Sequence, residues 1–259
     1  DKYNVSTNYK KIVDDVDAVS IVTPTVNHYE IARYFIEKNK HVLIEKPMTQ
    51  TVSEAKKLIN LAKKHKKTIQ IGHLERFNPV IRKVSSLIKN PLFIEVHRLA
   101  QFNPRSTDVN VVYDLMIHDI DITTSLVPSK IKKISSFGKS IITNKIDIAN
   151  ARLEFFNGTI ANLTASRISQ KSERKIRIFE KDKYLSLDFL QPKLKIVEKV
   201  KKKSSKLFKT LEYNYKKTDA LNDEIIDFIN SIRMNKKPLV DGIQGMEALK
   251  LAAAISKKL

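Results

Sequence analysis

Three short apolar runs, at 17–22, 41–44 and 68–71, alternate with helical patterns at 26–39 and 52–66. This alternation constrains the fold more than any other feature. Strand, amphipathic helix and strand in succession build a parallel sheet with right-handed crossovers. The pattern at 52–66 is the clearest, with Ala55, Leu58, Ile59 and Ala62 at i, i+3, i+4 and i+7.

After Phe77 the rhythm changes. Pro79 suits a first helical position, and the helix it opens runs to about residue 89. In "LFIEVHRLAQF" the residues Ile94, Val96 and Arg98 alternate faces with their neighbours, as in a strand. Residues 109–127 read as a helix. From 130 to 200 strands follow one another, including 148–156, 159–167, 174–180 and 193–199, with Asn157-Gly158 as a hairpin turn. Helices at 219–235 and 243–258 close the chain. The expectation is an α/β protein: a parallel sheet over 1–77, then an α+β domain with a large, mainly antiparallel sheet over 78–259.

Composition narrows the function. The 259 residues are 42% hydrophobic, enough for a sizeable core, and no run of about 18 apolar residues suggests a membrane span. With no cysteine, disulfides and thiolate metal sites are excluded, which fits a reducing compartment; the expected location is cytoplasmic. The chain starts without Met, in what reads as an ongoing domain, so a missing leader carries no information. The formal charge of +20 comes from 38 Lys and 10 Arg, mostly scattered singly. The densest cluster, "KVKKKSSK" at 199–206, has no aromatic residue on which a base could stack. Solvated lysines account for the charge, and no nucleic-acid partner is expected.

In an open parallel sheet, ligands bind beyond the carboxyl ends of the strands. Three such ends carry reactive residues here: Thr23-Pro24, Glu45-Lys46-Pro47, and "GHLERFN" with His73, Glu75 and Arg76. A charged strand end alone is an ordinary solvated turn. Three in consecutive strand–helix turns line one edge of a sheet and suggest a cleft. In "VVYDLMIHDID" the residues Asp114 and His118 are i, i+4 on a helix, with Asp121 three further on. A carboxylate one turn from an imidazole suits acid–base work. A helix-start Asp with a satisfied structural His has the same spacing, and the two readings stand side by side. His118 and Asp121 lack a third ligand at a suitable spacing, so no metal is expected.

Three features taken in order resemble the oxidoreductase family named after glucose-fructose oxidoreductase, inositol dehydrogenase and the rhizopine-catabolism protein MocA. They are Thr-Pro-x-x-x-His (Thr23, Pro24, His28), Glu-Lys-Pro at 45–47, and Asp-x-x-x-His (Asp114, His118). The ending "PLVDGIQGMEALKLAAAI" is similar to the family's closing segment. "GHLERFNP", "DLMIHDID" and "ANLTASRIS" look like members that act on nucleotide sugars.

The resemblance implies a Rossmann-type first domain and hydride transfer between a sugar or nucleotide-sugar carbon and NAD or NADP. The narrowest substrate is C3 of UDP-N-acetylglucosamine. It implies that Thr23, Pro24 and His28 line the dinucleotide cleft, that Glu45 lies near the nicotinamide ribose, and that Lys46 touches both cofactor and substrate. His118 would take the hydroxyl proton, with Asp114 orienting the site. Arg76 would serve the cofactor side, and Arg105 and Arg167 a diphosphate substrate. A homo-oligomer, dimer or tetramer, is also implied.

One departure stands out. The family's first domain opens with a Gly-rich phosphate loop, yet the first glycine here is Gly72 and no G-x-G-x-x-G exists. At least one βαβ unit, on the order of 30 residues, would be missing. The expectation is an incomplete Rossmann domain that binds dinucleotide weakly or not at all. Titration with nicotinamide dinucleotide checks this, and micromolar affinity would overturn it. A non-catalytic remnant or sugar-binding module of the same fold is the alternative.

Overall fold

The computed structural model describes residues 5–104, 109–200, 206–216 and 218–259. The chain divides into two units. The first takes the residues through His73 together with Leu221–Leu249; the second takes Leu74–Ala220 and Lys250–Leu259.

In the first unit, β1 (Ala18–Ile21), β2 (His41–Glu45) and β3 (Ile69–Gly72) form a parallel sheet in the order β1-β2-β3. Ala18 pairs with His41, and Glu45 pairs with Gly72. Val42, Leu43 and Ile44 are all buried, the unbroken apolar run of a strand covered on both faces. Helices α1 (His28–Glu37) and α2 (Val52–His65) make the crossovers. Helix α2 starts on a reciprocal cap: Thr51 Oγ1 accepts from Glu54 N at 3.2 Å, and Glu54 Oε2 accepts from Thr51 N at 3.0 Å. It stops at Lys66, which takes the left-handed conformation, after a basic last turn that suits the helix dipole.

The chain later returns to this unit through α5 (Ala220–Arg233) and the start of α6 (Gly242–Ser256). Between them, Val240 O accepts from Ile71 N at 3.0 Å and Asp241 bridges Gln70 antiparallel, so the returning segment hydrogen-bonds to β3. Gly245 lets α6 approach closely, since a Cβ there would collide with Ile71 Cγ1.

The second unit holds an eight-stranded sheet. Its strands are β4 (Phe93–Leu99), β5 (Ile131–Lys139), β6 (Ile148–Phe155), β7 (Ile160–Ser166), β8 (Glu173–Glu180), β9 (Lys183–Asp188), β10 (Lys193–Lys199) and β11 (Phe208–Asn214). The order is β11-β10-β9-β8-β4-β7-β6-β5, and the sheet is antiparallel except between β4 and β7. Asn157-Gly158 turns β6 into β7, with Gly158 at φ 87, where glycine is favoured. In β4 the inward alternation holds, with Ile94, Val96 and Arg98 all buried. Helix α3 (Pro79–Leu87) starts where expected, with Asn78 Oδ1 accepting from Val80 N at 3.0 Å.

A 3₁₀ helix, Tyr9–Asp15, precedes β1. One sequence expectation needs correction. The helix expected over 109–127 opens as a π turn at Val112–Met116, and only Ile117–Leu126 is α-helical, named α4. Strand β11 was not anticipated.

Candidate active site

The loaded strand ends of the first unit are held by a histidine and a glycine. Thr23 and Pro24 follow β1 and are exposed; His28, at the start of α1, is buried. The His28 ring nitrogens face Thr23 O at 2.7 Å and Pro47 O at 3.0 Å. One side chain therefore ties the turn after β1 to the turn after β2. His28 positions both turns through this ring.

Glu45 ends β2, half-buried like Lys46, and the Lys46–Pro47 peptide is cis. Glu45 Oε2 accepts from Lys46 N at 3.1 Å, and the carboxylate lies over Gly72 on the neighbouring strand. A Cβ on Gly72 would stand 3.0 Å from both Glu45 Cδ and Oε2, so any larger residue there would press the carboxylate aside by a few tenths of an ångström. His73, immediately after, is buried.

These residues fit the nicotinamide-ribose end of a dinucleotide. A half-buried carboxylate accepts from vicinal hydroxyls, and an ammonium stands beside it in sequence.

In the second unit, Asn110 starts the helical segment. Its Oδ1 accepts from Val112 N at 3.1 Å and Tyr113 N at 3.2 Å, and its Nδ2 donates to Ser256 Oγ at 2.7 Å. Asp114 lies in the π turn and His118 in the first turn of α4, both half-buried. A π turn holds more residues than an α turn, so four residues span closer to one full revolution. Asp114 and His118 thus lie four residues apart on one continuous helical segment. Single π turns of this kind recur at functional sites.

Below that helix lies a buried ion network. Arg98 Nε donates to both Asp119 oxygens, at 3.0 and 2.9 Å, and Nη2 to Oδ1 at 2.9 Å. Arg98 Nη1 reaches Glu75 Oε1 at 3.0 Å, and Arg174 Nη1 meets the same oxygen at 3.4 Å. Burial alone would disfavour the charge on Arg98; the Asp119 and Glu75 carboxylates overcome it and push its pKa up. The network joins β4, the turn before α3, and α4. Asp119 is the residue next to His118, so this pair fixes the helix that carries the imidazole.

The remaining candidates divide. Arg76 pairs with Asp121 at 3.4 Å, which occupies the aspartate considered with His118. Arg167 is buried; its Nη2 donates to Val109 O at 2.6 Å and its Nε stands 4.0 Å from Asp147. Arg105 and most of the 199–206 lysine cluster lie outside the described residues. Among the described residues, no group of three or more His, Cys, Asp or Glu could hold a metal ion. No described helix is long and apolar enough to cross a membrane.

Sequence reading passed over Asp119 and Glu224. Glu224 is 1% exposed on α5, where it shares the buried face with Phe228 and Ser231. The signal was the helical phase: 224, 228 and 231 are i, i+4 and i+7.

Comparison with known proteins now bears on both units. The profile for the oxidoreductase family, NAD-binding Rossmann fold, matches residues 1–73, and that for the family's C-terminal alpha/beta domain matches 88–258. The chain belongs to the Gfo/Idh/MocA oxidoreductase family. It is thus of the NAD(P)-dependent dehydrogenase class. UDP-N-acetylglucosamine 3-dehydrogenase of Acidithiobacillus ferrooxidans is 37% identical over 247 residues, 94% of this chain and 79% of that relative. A solved structure of that enzyme superposes with a TM-score of 0.93 at 36% identity, covering 98% of this chain and 82% of that one. A more distant Gfo/Idh/MocA relative, myo-inositol 2-dehydrogenase of Thermotoga maritima, is 23% identical across 100% of this chain and 84% of its own length. An inositol dehydrogenase homologue from Azotobacter vinelandii, solved with NADH and myo-inositol, shares the fold at TM-score 0.83 and 17% identity, over 97% and 79% of the two chains.

Proposed function

We propose that this family member oxidises a nucleotide sugar, converting the C3 hydroxyl of UDP-N-acetylglucosamine to a ketone with NAD or NADP as oxidant. The observation that carries the reading is the 37% identity, over 94% of the chain, with a dehydrogenase named for that substrate. The chain keeps Glu45-Lys46 at a strand end and the Asp114–His118 pair on one helical segment, which supports the same reading.

A nicotinamide, when bound, supplies the hydride acceptor. The chain's own residues handle the proton and the charge. His118 in its neutral form takes the hydroxyl proton, and Asp114 orients the site. The Lys46 ammonium stabilises the alkoxide charge that develops as the C–H electron pair departs. Glu45 accepts from the ribose hydroxyls, and His28 keeps the turns on either side of that carboxylate in place. One hydride and one proton leave the sugar, and a C=O bond replaces C–OH.

Product analysis tests this. Incubation with UDP-N-acetylglucosamine and each cofactor should yield a 3-keto nucleotide sugar and an equal amount of reduced nicotinamide. Reduction with myo-inositol but not with the nucleotide sugar would replace the proposed substrate.

A further inference from the structure

Glu45 and Gly72 pair across β2 and β3, with the Glu45 carboxylate over the glycine. Gln70 lies two residues before Gly72 on β3, so its side chain leaves the same face of the sheet. Gln70 is fully buried, and its Nε2 donates to the Glu224 backbone oxygen at 3.0 Å. That bond joins α5 to the strand that supports Glu45.

The Glu224 side chain enters the same buried region. Its Oε1 and the Oε1 of Gln70 are both buried without a hydrogen-bond partner among the described residues. Two acceptors with no donor, away from water, are costly. Among the described residues, the charged groups that act on Glu224 are Glu45 from β2 and Asp227 from its own helix, and both are acidic. Asp227 also accepts from Leu239 N at 2.9 Å. A proton on the Glu224 carboxyl supplies the missing donor and removes one of three neighbouring negative charges.

We propose that Glu224 is a positioning residue that acts as a neutral carboxylic acid, holding the Glu45 carboxylate over Gly72 and releasing it when the proton is lost. Burial, with the Glu45 and Asp227 carboxylates nearby, pushes the Glu224 carboxyl up to about 8. The device therefore works in an ordinary pH range. Its consequence for dinucleotide affinity rests on the function proposed above, in which Glu45 serves the ribose.

The test is stability against pH for the wild type, Glu224→Gln and Glu45→Gln, read by urea or thermal melts from pH 5 to 9. An acid whose folded pKa is raised gives stability that is full below its unfolded value and lost as pH rises through the folded value. Between about pH 5 and 8, the wild-type unfolding equilibrium should thus shift by up to tenfold per pH unit more than that of Glu224→Gln, which carries no such proton. Glu45→Gln should move the wild-type break to higher stability at alkaline pH by removing the neighbouring charge. Equal slopes in wild type and Glu224→Gln would overturn the proposal, and so would a Glu45→Gln profile identical to wild type. Infrared detection of a protonated carboxyl in the wild type at pH 7, absent in Glu224→Gln, gives an independent reading if the variant is poorly stable. Dinucleotide affinity should weaken above pH 8 in the wild type and not in Glu224→Gln. Absence of binding at every pH would count against the proposed function alone, because the melts decide the role of Glu224.

Discussion

Lys46→Ala and His118→Ala should each lower turnover of the nucleotide sugar by about 10²–10⁴-fold, the usual worth of a positioned acid–base or charge-stabilising group. Both side chains act where charge and proton move, so kcat and kcat/KM should fall together. His118→Ala should also flatten the acid-side limb of the pH–rate profile, which Lys46→Ala should leave in place. Both residues are half-buried, so neither truncation opens a large core cavity. Melting curves close to wild type should accompany the lost activity. Unchanged turnover in either variant would remove that residue from the mechanism.

The largest effect on stability should come from Arg98. Arg98→Ala leaves Asp119, 2% exposed, as a buried carboxylate stripped of three charge-assisted hydrogen bonds. Breaking one side of such a pair typically costs about 3–5 kcal/mol. The double variant Arg98→Met, Asp119→Leu removes both charges while keeping apolar volume, and it should recover most of that loss. Glu75 keeps Arg174 as a partner, so little further penalty is expected from it. Urea denaturation of the two variants decides the matter. A loss under about 1 kcal/mol for Arg98→Ala would mean that Asp119 finds other partners or water.

The parts of this structure that could be read from sequence are those whose burial is local and periodic. Val42-Leu43-Ile44 announces a doubly covered strand, and the Ala55-Leu58-Ala62 spacing announces the helix after it. The strand-end position of Glu45-Lys46 follows from those two elements alone. Other features have no local signature. Every residue of β11 is exposed, so "FKTLEYN" has no buried face to produce an alternation. The π turn at Val112–Met116 uses the side chains an α-helix would use, and backbone winding leaves no mark on residue type. On α5 the chemistry misleads: Ile225, Ile226 and Ile229 are exposed while Glu224 is buried. Arg98 was legible as an inward residue of β4, but its partner Asp119 was masked by the neighbouring His118 and Asp121.

The return of α5 and the 239–241 segment to β3 sets a timetable for synthesis. The sheet that carries Glu45 and Gly72 is encoded by the residues up to His73, yet its unit also needs Leu221–Leu249. Those last residues are translated 176 positions after His73 (249 − 73). At about 5–20 residues per second, the interval is roughly 10–35 s. For that time Gln70 and Ile71 lack the backbone partners that Glu224, Val240 and Asp241 later provide. Until that segment arrives the edge of β3 stays open, and an open strand edge exposes a nascent chain to wrong pairing.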